Sequence, residues 1–586
     1  MRGNDLRARF AKSGIFTVGE LGFGSGLNFL CAWNAWSQTA KNPGAHLHFF
    51  SVEKSPWLEN DLIKAHALWP SLASRSKKLR ARLPPLFTGI HRIHLEKDVT
   101  LTLCYGDAIN LLSQIDLKAD AWFMDGFAPS KNPDMWSPHL FDVIAEKSNA
   151  HASFATFTVA GAVRRSAERS GFEIDKIKGY GKKREMLVGT LRTKPVAKYN
   201  PPWFSPDQHR ISSGDRVAII GAGIAGASLA TSLARYGIAP TLFDPNGPAS
   251  GASGNIAGLI APRVDADFSP VARFHIDAYL YAIQQLKTLP GSFFNACGVH
   301  HKPRHADDAR RFEKITSLSP LPGGYMEERN EGLFFPHAGV IDPQHYVNAL
   351  IGDVPIIREA IVKLAQTGST WTITSTTSNY HFDAVVIANA ADAHRFVQMR
   401  ALPLTASHGQ IDFFANQHAP AVAVTRGGYV APFADGLLIG ATYENAELGE
   451  PAIAHQNAVE HNIELARAAT GDEFSNLDPL KALSRAAVRC ATHDWLPVVG
   501  PIPDWGHYAG AYDGLRTGVV GDYANAQYMD GLYVLAGLGS RGLTTAPLAA
   551  EMIAGRMLGG PAPVSQDIAE TLHPARFFIR SLRRSG

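Results

Sequence analysis

Val217-Ala-Ile-Ile-Gly221-Ala-Gly223-Ile-Ala-Gly226 starts as a short apolar strand and runs into a helix, and Asp244 ends the next strand 18 residues later. The first glycine allows a tight turn out of the strand, the second a close approach of backbone to ligand, and the third close packing of helix on strand. A helix N-terminus placed there attracts a pyrophosphate, and the carboxylate accepts from a ribose hydroxyl. Gly221, Gly223, Gly226 and Asp244 are therefore expected to hold a dinucleotide in a Rossmann-type α/β domain. NAD and FAD share that pyrophosphate, so this stretch alone does not choose between them.

Two neighbouring stretches favour FAD. Gly251-Ala-Ser253-Gly254-Asn255-Ile-Ala-Gly258 is a run of small residues where a ribityl chain and ring need close backbone approach, which makes Ser253, Gly254 and Asn255 candidate contacts. Tyr533-Val-Leu-Ala-Gly-Leu-Gly539-Ser540-Arg541-Gly542 reads as a strand and glycine loop opening a helix near Thr544. A helix N-terminus there would stabilise an anionic reduced ring beside Gly539, Ser540 and Gly542. Phe382–Ala390 reads as the returning strand, and Ile411–Phe414 with Gly428–Tyr443 reads as an inserted antiparallel sheet that would form a substrate domain.

Before residue 194 the pattern starts afresh. Apolar runs at Phe16–Leu21, His48–Val52, Leu101–Tyr105, Ala121–Met124 and Met186–Leu191 alternate with helical stretches, which predicts a second, doubly wound parallel sheet. Glu20-Leu-Gly22-Phe-Gly24-Ser-Gly26 follows the first of these strands. Glu53 and Asp107 close two others, so the set fits an adenosyl site with Gly22, Gly24 and Gly26 as its loop. Asp107 serves equally well as a helix N-cap. Asp125-Gly-Phe127-Ala-Pro-Ser-Lys-Asn-Pro-Asp-Met-Trp136 then resembles the acidic, Pro- and aromatic-containing loops of methyltransferases that act on amino groups. An amine attacks a methyl sulfonium only as the neutral base, so Asp125 would take its proton or hydrogen bond, with Phe127 or Trp136 as a stacking wall. The other reading of the peptide is a capping Asp and a core Trp.

The chain thus divides into a methyltransferase domain at residues 1–194, a linker at 195–213 holding Pro195, Pro201, Pro202 and Pro206, and a flavin domain at 214–586. The first 194 residues carry 27 Lys and Arg against 18 Asp and Glu, whereas the remainder carries 29 against 35. Arg75, Lys77, Lys78, Arg80 and Arg82, then Lys176, Lys178, Lys182, Lys183 and Arg184, concentrate the positive charge and suit a polyanionic partner. Cys31, Cys104, Cys297 and Cys490 lack CxxC spacing, so neither a metal site nor a disulfide framework is expected. Charges near the N-terminus and the lack of a long apolar run predict a cytoplasmic chain without a membrane span, and nothing points to an obligate protein partner.

Over most of residues 215–560 the second half resembles the D-amino-acid oxidase and glycine oxidase group of flavoenzymes. That resemblance implies that Arg489, ahead of Leu496-Pro-Val-Val-Gly500, and Arg541 grip a substrate carboxylate, with Tyr429 and Arg426 as further pocket residues. Taken together, the two halves resemble the bifunctional tRNA 5-methylaminomethyl-2-thiouridine biosynthesis family. The resemblance implies S-adenosylmethionine (SAM) and FAD as cofactors and tRNA as substrate. The flavin half would remove the carboxymethyl group of 5-carboxymethylaminomethyl-2-thiouridine, and the first half would then methylate the exposed amine. A glycine- or sarcosine-type oxidase fused to a methyltransferase, without RNA, is the alternative. Members of that family usually carry an N-terminal extension of several dozen residues, whereas this sequence begins at Met1-Arg-Gly-Asn-Asp-Leu, so either its start is misassigned or a piece of the substrate-binding surface is missing. His408 stands where many relatives have Arg, and its role is left open.

Overall fold

The computed structural model describes residues 1–126, 131–179, 181, 183–195, 199–330, 332–474, 476–519 and 521–584. In the first half, eight strands form one sheet: β1 (Ile15–Leu21), β2 (His46–Glu53), β3 (Gly89–Glu96), β4 (Val99–Tyr105), β5 (Ala119–Met124), β6 (Ser148–Thr156), β7 (Phe172–Lys178) and β8 (Glu185–Leu191). Their order is β3-β4-β2-β1-β5-β6-β8-β7. The central run β4-β2-β1-β5-β6 is parallel, and β1, β2 and β4 are buried along almost their whole length. This double-sided burial is why they read as unbroken apolar runs.

The expectation of a wholly parallel sheet needs correction at both edges. β3 is antiparallel to β4, β8 to β6, and β7 to β8. Met186–Leu191 therefore lies in a hairpin, because the short connection between β7 and β8 is too brief for a parallel crossover.

A second sheet orders Ile356–Ile357, Thr241–Phe243, Val217–Ile220, Ala384–Ile387, Tyr528–Ala536 and Val498–Pro503, with the last strand antiparallel to its neighbour and the others parallel. The helix Ile224–Arg235 follows the glycine fingerprint, and Gly542–Leu558 follows the C-terminal glycine loop, opening two residues before the expected Thr544. A nine-stranded sheet, mostly antiparallel, is inserted between these elements; it contains Leu404–Ala415, Gly428–Phe433, Gly436–Gly440 and Leu483–Thr492.

The proline-rich stretch is docked on the second half. Trp203 is 8% exposed, its carbonyl accepts from Tyr508 Oη at 2.7 Å, and Tyr533 Oη donates to Asp207 at 2.7 Å. Among the described residues, no helix is long and apolar enough to cross a membrane.

The two halves meet around Glu551, which is 0% exposed on the helix Gly542–Leu558. Arg92 of β3 approaches it at 3.4 Å, Arg235 at 2.6 Å and the His94 ring at 3.5 Å. Burial opposes ionisation of Glu551, but a hydrogen bond from His94 and the charges of Arg235 and Arg92 outweigh it and hold the carboxyl well below the usual range. His94 itself is pushed down to about 4 by burial and by Arg235, so it is neutral at pH 7. Glu551→Gln leaves two buried guanidiniums without a counter-charge and is expected to cost about 3 kcal/mol of stability, read as a lower urea midpoint at pH 7. Because the folded-state pKa is depressed, this contribution is present above the ordinary Glu value of about 4.3 and is lost as pH falls below it. Equal midpoints for variant and parent at pH 7 would rule out that role.

Candidate active sites

In the flavin half, the strand ends converge on one edge of the sheet. Gly221 has φ of 112° and Gly226 sits so close to the turn that an added Cβ would lie 1.9 Å from the Gly221 carbonyl oxygen. Asp244 accepts from the Ala222 N–H at 3.0 Å, and Ser253 Oγ accepts from the Ile224 N–H at 2.9 Å, tying the small-residue segment to the start of the helix. Gly223 lies beside Ser253, so the loop stays slender where a pyrophosphate would approach. Gly254 leaves no room for a side chain beside the Ala249 carbonyl, and Asn255 Oδ1 and Asn389 Oδ1 are buried without a hydrogen-bond partner among the described residues. Tight glycine turns and orphaned polar atoms along this edge fit a flavin dinucleotide.

The strand Leu483–Thr492 gathers the rest of the pocket. It packs against both the Ala252–Gly254 turn and the Gly539–Arg541 turn, and Arg485 donates to the Ser250 and Gly251 carbonyls at 3.0 Å. On the same strand the Arg489 guanidinium lies across Gly409, where an added Cβ would be 2.0 Å from Cζ. It donates to the Thr442 carbonyl at 3.0 Å and sits 5.2 Å from the Tyr443 ring centroid. Tyr429 is half-buried with its hydroxyl pKa raised by burial and countered by Arg489.

Arg541 is exposed on the turn that carries Gly539 and Ser540, yet burial, with Arg263 acting the same way, pushes its pKa down to about 10. It remains charged at pH 7 and free to take an anion. Arg426 is committed elsewhere, donating to the Pro303, Arg304 and Ala468 carbonyls, which corrects its place among the pocket residues. His408 contacts the Glu450 carbonyl at 3.4 Å.

In the methyltransferase half, strand order alone aligns Asp107, Glu53, the glycine loop and Asp125 along the carboxyl edge of β4-β2-β1-β5. Gly22, Gly24 and Gly26 have φ of 89°, 51° and 71°, the left-handed region that a side chain would strain. The Gly24 N–H donates to Glu53 Oε2 at 2.8 Å. Glu20, at the start of the motif, is fully buried. Ser51 donates to its Oε2 at 2.7 Å, Oε1 has no partner among the described residues, and burial raises its pKa to about 8. An orphaned buried oxygen beneath a left-handed loop fits an adenosyl ligand carrying hydrogen-bond donors.

Asp107 caps the helix Ala108–Ser113 through the Asn110 N–H and pairs with Lys54 at 3.5 Å, so the capping role is present at the same strand end. Asp125 is exposed and accepts from Asn28 Nδ2 at 3.2 Å. Trp136 is 6% exposed and meets Phe157 edge-on, so in place of the expected stacking wall it takes the core placement that the peptide also allowed. Phe127 lies outside the described residues. Asn28, Gly409 and Tyr443 went unread in the sequence; a glycine within an otherwise regular strand, as at Gly409, was the one local signal.

The folds and sites together define a fusion of a SAM-dependent methyltransferase with an FAD-dependent oxidoreductase. Residues 216–556 match the family model described as FAD dependent oxidoreductase, and residues 70–192 match S-adenosyl-L-methionine-dependent methyltransferase. The tRNA 5-methylaminomethyl-2-thiouridine biosynthesis bifunctional protein MnmC of Chromobacterium violaceum is 37% identical over 626 aligned residues, covering 100% of this chain and 93% of that one. The protein of the same name from Methylobacillus flagellatus is 36% identical over 615, covering 99% and 91%. Glycine oxidase from Geobacillus kaustophilus overlays with a TM-score of 0.48 at 18% identity, covering 62% of this chain and 99% of that one. The chain belongs to the MnmC family of bifunctional tRNA 5-methylaminomethyl-2-thiouridine biosynthesis proteins.

Gly226→Ala is expected to yield protein without flavin absorbance, since its Cβ cannot share space with the Gly221 carbonyl. Gly214→Ala, with nothing within 4 Å, serves as the control that keeps it. Full flavin content in Gly226→Ala would contradict the assigned cradle.

Proposed function

We propose that this protein performs two consecutive reactions on a wobble uridine of tRNA in the cytoplasm: oxidative removal of the carboxymethyl group of 5-carboxymethylaminomethyl-2-thiouridine, then methylation of the amine so formed. The observation that carries this reading is the pairing on one chain of an FAD-dependent oxidoreductase domain with a SAM-dependent methyltransferase domain, in a chain alike over its length to relatives named for this biosynthesis. When bound, FAD accepts two electrons and SAM donates a methyl group.

Arg489 and Arg541 hold the substrate carboxylate and thereby place the adjoining CH₂–NH bond at the flavin loops. Arg489 is braced over Gly409 and Tyr443, which fixes its angle; Arg541 reaches the anion from the exposed turn after Gly539 and Ser540. Loss of two electrons and two protons turns the CH₂–NH unit into an imine. Water then adds, releasing glyoxylate and leaving a primary amine on the uridine. In the first half, Asp125, oriented by Asn28, accepts a hydrogen from that amine and points its lone pair at the methyl donor. Glu53, Asp107 and Gly22, Gly24 and Gly26 hold the adenosyl group. The order is set by chemistry: the first reaction creates the nucleophile that the second requires.

The test is incubation of the protein with tRNA bearing 5-carboxymethylaminomethyl-2-thiouridine, with and without SAM, followed by nucleoside analysis. The primary amine is expected without SAM and the methylamine with it; turnover of free glycine or sarcosine, with the tRNA unchanged, would overturn the proposal. Arg541→Ala is expected to retain FAD while lowering kcat/KM for carboxymethyl removal on the order of 10²-fold, and undiminished conversion would remove that residue from the site. Asp125→Ala is expected to accumulate the primary amine in the presence of SAM, with methylation slowed by about 10² to 10⁴; normal methylation would sink its assignment.

A further inference from the structure

A cavity of about 280 Å³ opens where the two halves meet, apart from both cofactor loops. Arg82, Arg92 and Lys97 line it from the first half, and Arg235, Tyr281 and Gln284 from the second. Its floor is the junction already described, so Arg92 and Arg235 are compensated by Glu551. Its mouth is different. The Arg82 guanidinium donates to the His94 carbonyl at 2.6 Å and, among the described residues, has no carboxylate partner. Burial, with Arg235 across the cavity, lowers its pKa from the ordinary value, so two cations face each other there.

Lys97 stands exposed in the turn between β3 and β4, with no ion pair among the described residues. Glu96 also lines the cavity, but Lys78 at 2.8 Å and the Trp33 indole at 3.1 Å occupy its carboxylate. Gln284 Nε2 donates to the Arg82 carbonyl at 2.8 Å and so fixes the Arg82 segment against the second half. The helix Ala73–Arg80 leads into Arg82 and carries Lys77 and Lys78 on its exposed side. Uncompensated cations at a cavity mouth, continued along the surface by further lysines, suit a chain of phosphates better than an isolated ion.

We propose that this interdomain cavity seats a backbone phosphodiester of the tRNA, gripped from both halves, so that one hold on the RNA serves both reactions. This rests on tRNA being the substrate. The basic run from Arg75 to Arg82 leads directly into this junction. A phosphate at the mouth would receive N–H donors from Arg82 and Lys97 and cover the repulsion between Arg82 and Arg235.

The experiment uses the flavin-loaded full-length protein and measures tRNA affinity over a salt series, together with KM for tRNA in each reaction. Lys97→Gln, in an exposed turn, and Arg82→Gln are each expected to weaken tRNA binding about tenfold at low salt. Each is also expected to reduce the slope of log affinity against log salt by about 1. KM for tRNA should rise by the same factor in both reactions. Lys97→Gln carries the test alone if Arg82→Gln fails to fold, as judged by melting and flavin absorbance. Unchanged affinity and slope, or a rise of KM in one reaction only, overturns the proposal. So does binding of inorganic phosphate that is lost in Lys97→Gln while tRNA affinity stays constant, which marks a small-anion site. Failure of the unmodified protein to bind or convert tRNA strikes instead at the function itself.

Discussion

Glu551 sits between Arg92 of one half and Arg235 of the other, fully out of water. A carboxylate is tolerated there only while its counter-charges stay in place, so the relative position of the halves is fixed by the need to keep all three together. Apolar surfaces alone would tolerate sliding; a buried charge does not. Two helices lead away from this point. Ile224–Arg235 has its N-terminus at the glycine fingerprint and its C-terminal arginine at the junction, while Gly542–Leu558 begins at the flavin loop and carries Glu551 near its middle. Twelve residues of helix span roughly 18 Å at 1.5 Å per residue, so each helix is a stiff strut between cofactor site and domain boundary. The chain beyond the second helix returns to the first half, where the Ala562 N–H donates to the Asp116 carbonyl at 2.8 Å and the Gln566 N–H to the Gln114 carbonyl at 2.6 Å.

The two pockets ask opposite things of electrostatics. The flavin half presents guanidiniums at Arg489 and Arg541 that stay charged within the protein. The first half presents an exposed carboxylate, Asp125, hydrogen-bonded by Asn28. Placing both on one frame keeps each site's local charge distinct while the excess of positive charge stays on the first half. The strand Leu483–Thr492 is the counterpart of the junction inside the flavin half. It braces the small-residue turn and the C-terminal turn and carries Arg489, so one strand holds all three in register.

Features read correctly from the sequence are those in which a few contiguous residues impose their own backbone geometry. The glycines at 22, 24, 26 and 221 adopt positive φ, and the strands before them end where the polar residues begin. The position of Asp125, directly after the strand Ala119–Met124, was legible for the same reason. Trp136 and Arg426 were misread because the sequence around each is compatible with an open face as well as a closed one. Packing on Phe157 in the first case, and carbonyls of two distant segments in the second, decided the matter.

The sequence by itself determined the two α/β units, their glycine cradles and the acidic strand ends, since these depend on steric rules that act within a turn of the chain. Tertiary structure alone decided the antiparallel edges of the first sheet, the docking of the proline-rich stretch, and the bracing of Arg489 by Gly409 and Tyr443. It alone also brought Arg92 to Glu551, 459 residues apart in the chain. The physical reason is range: local sterics are written in neighbouring residues, whereas a buried charge acquires its partners only when distant elements pack.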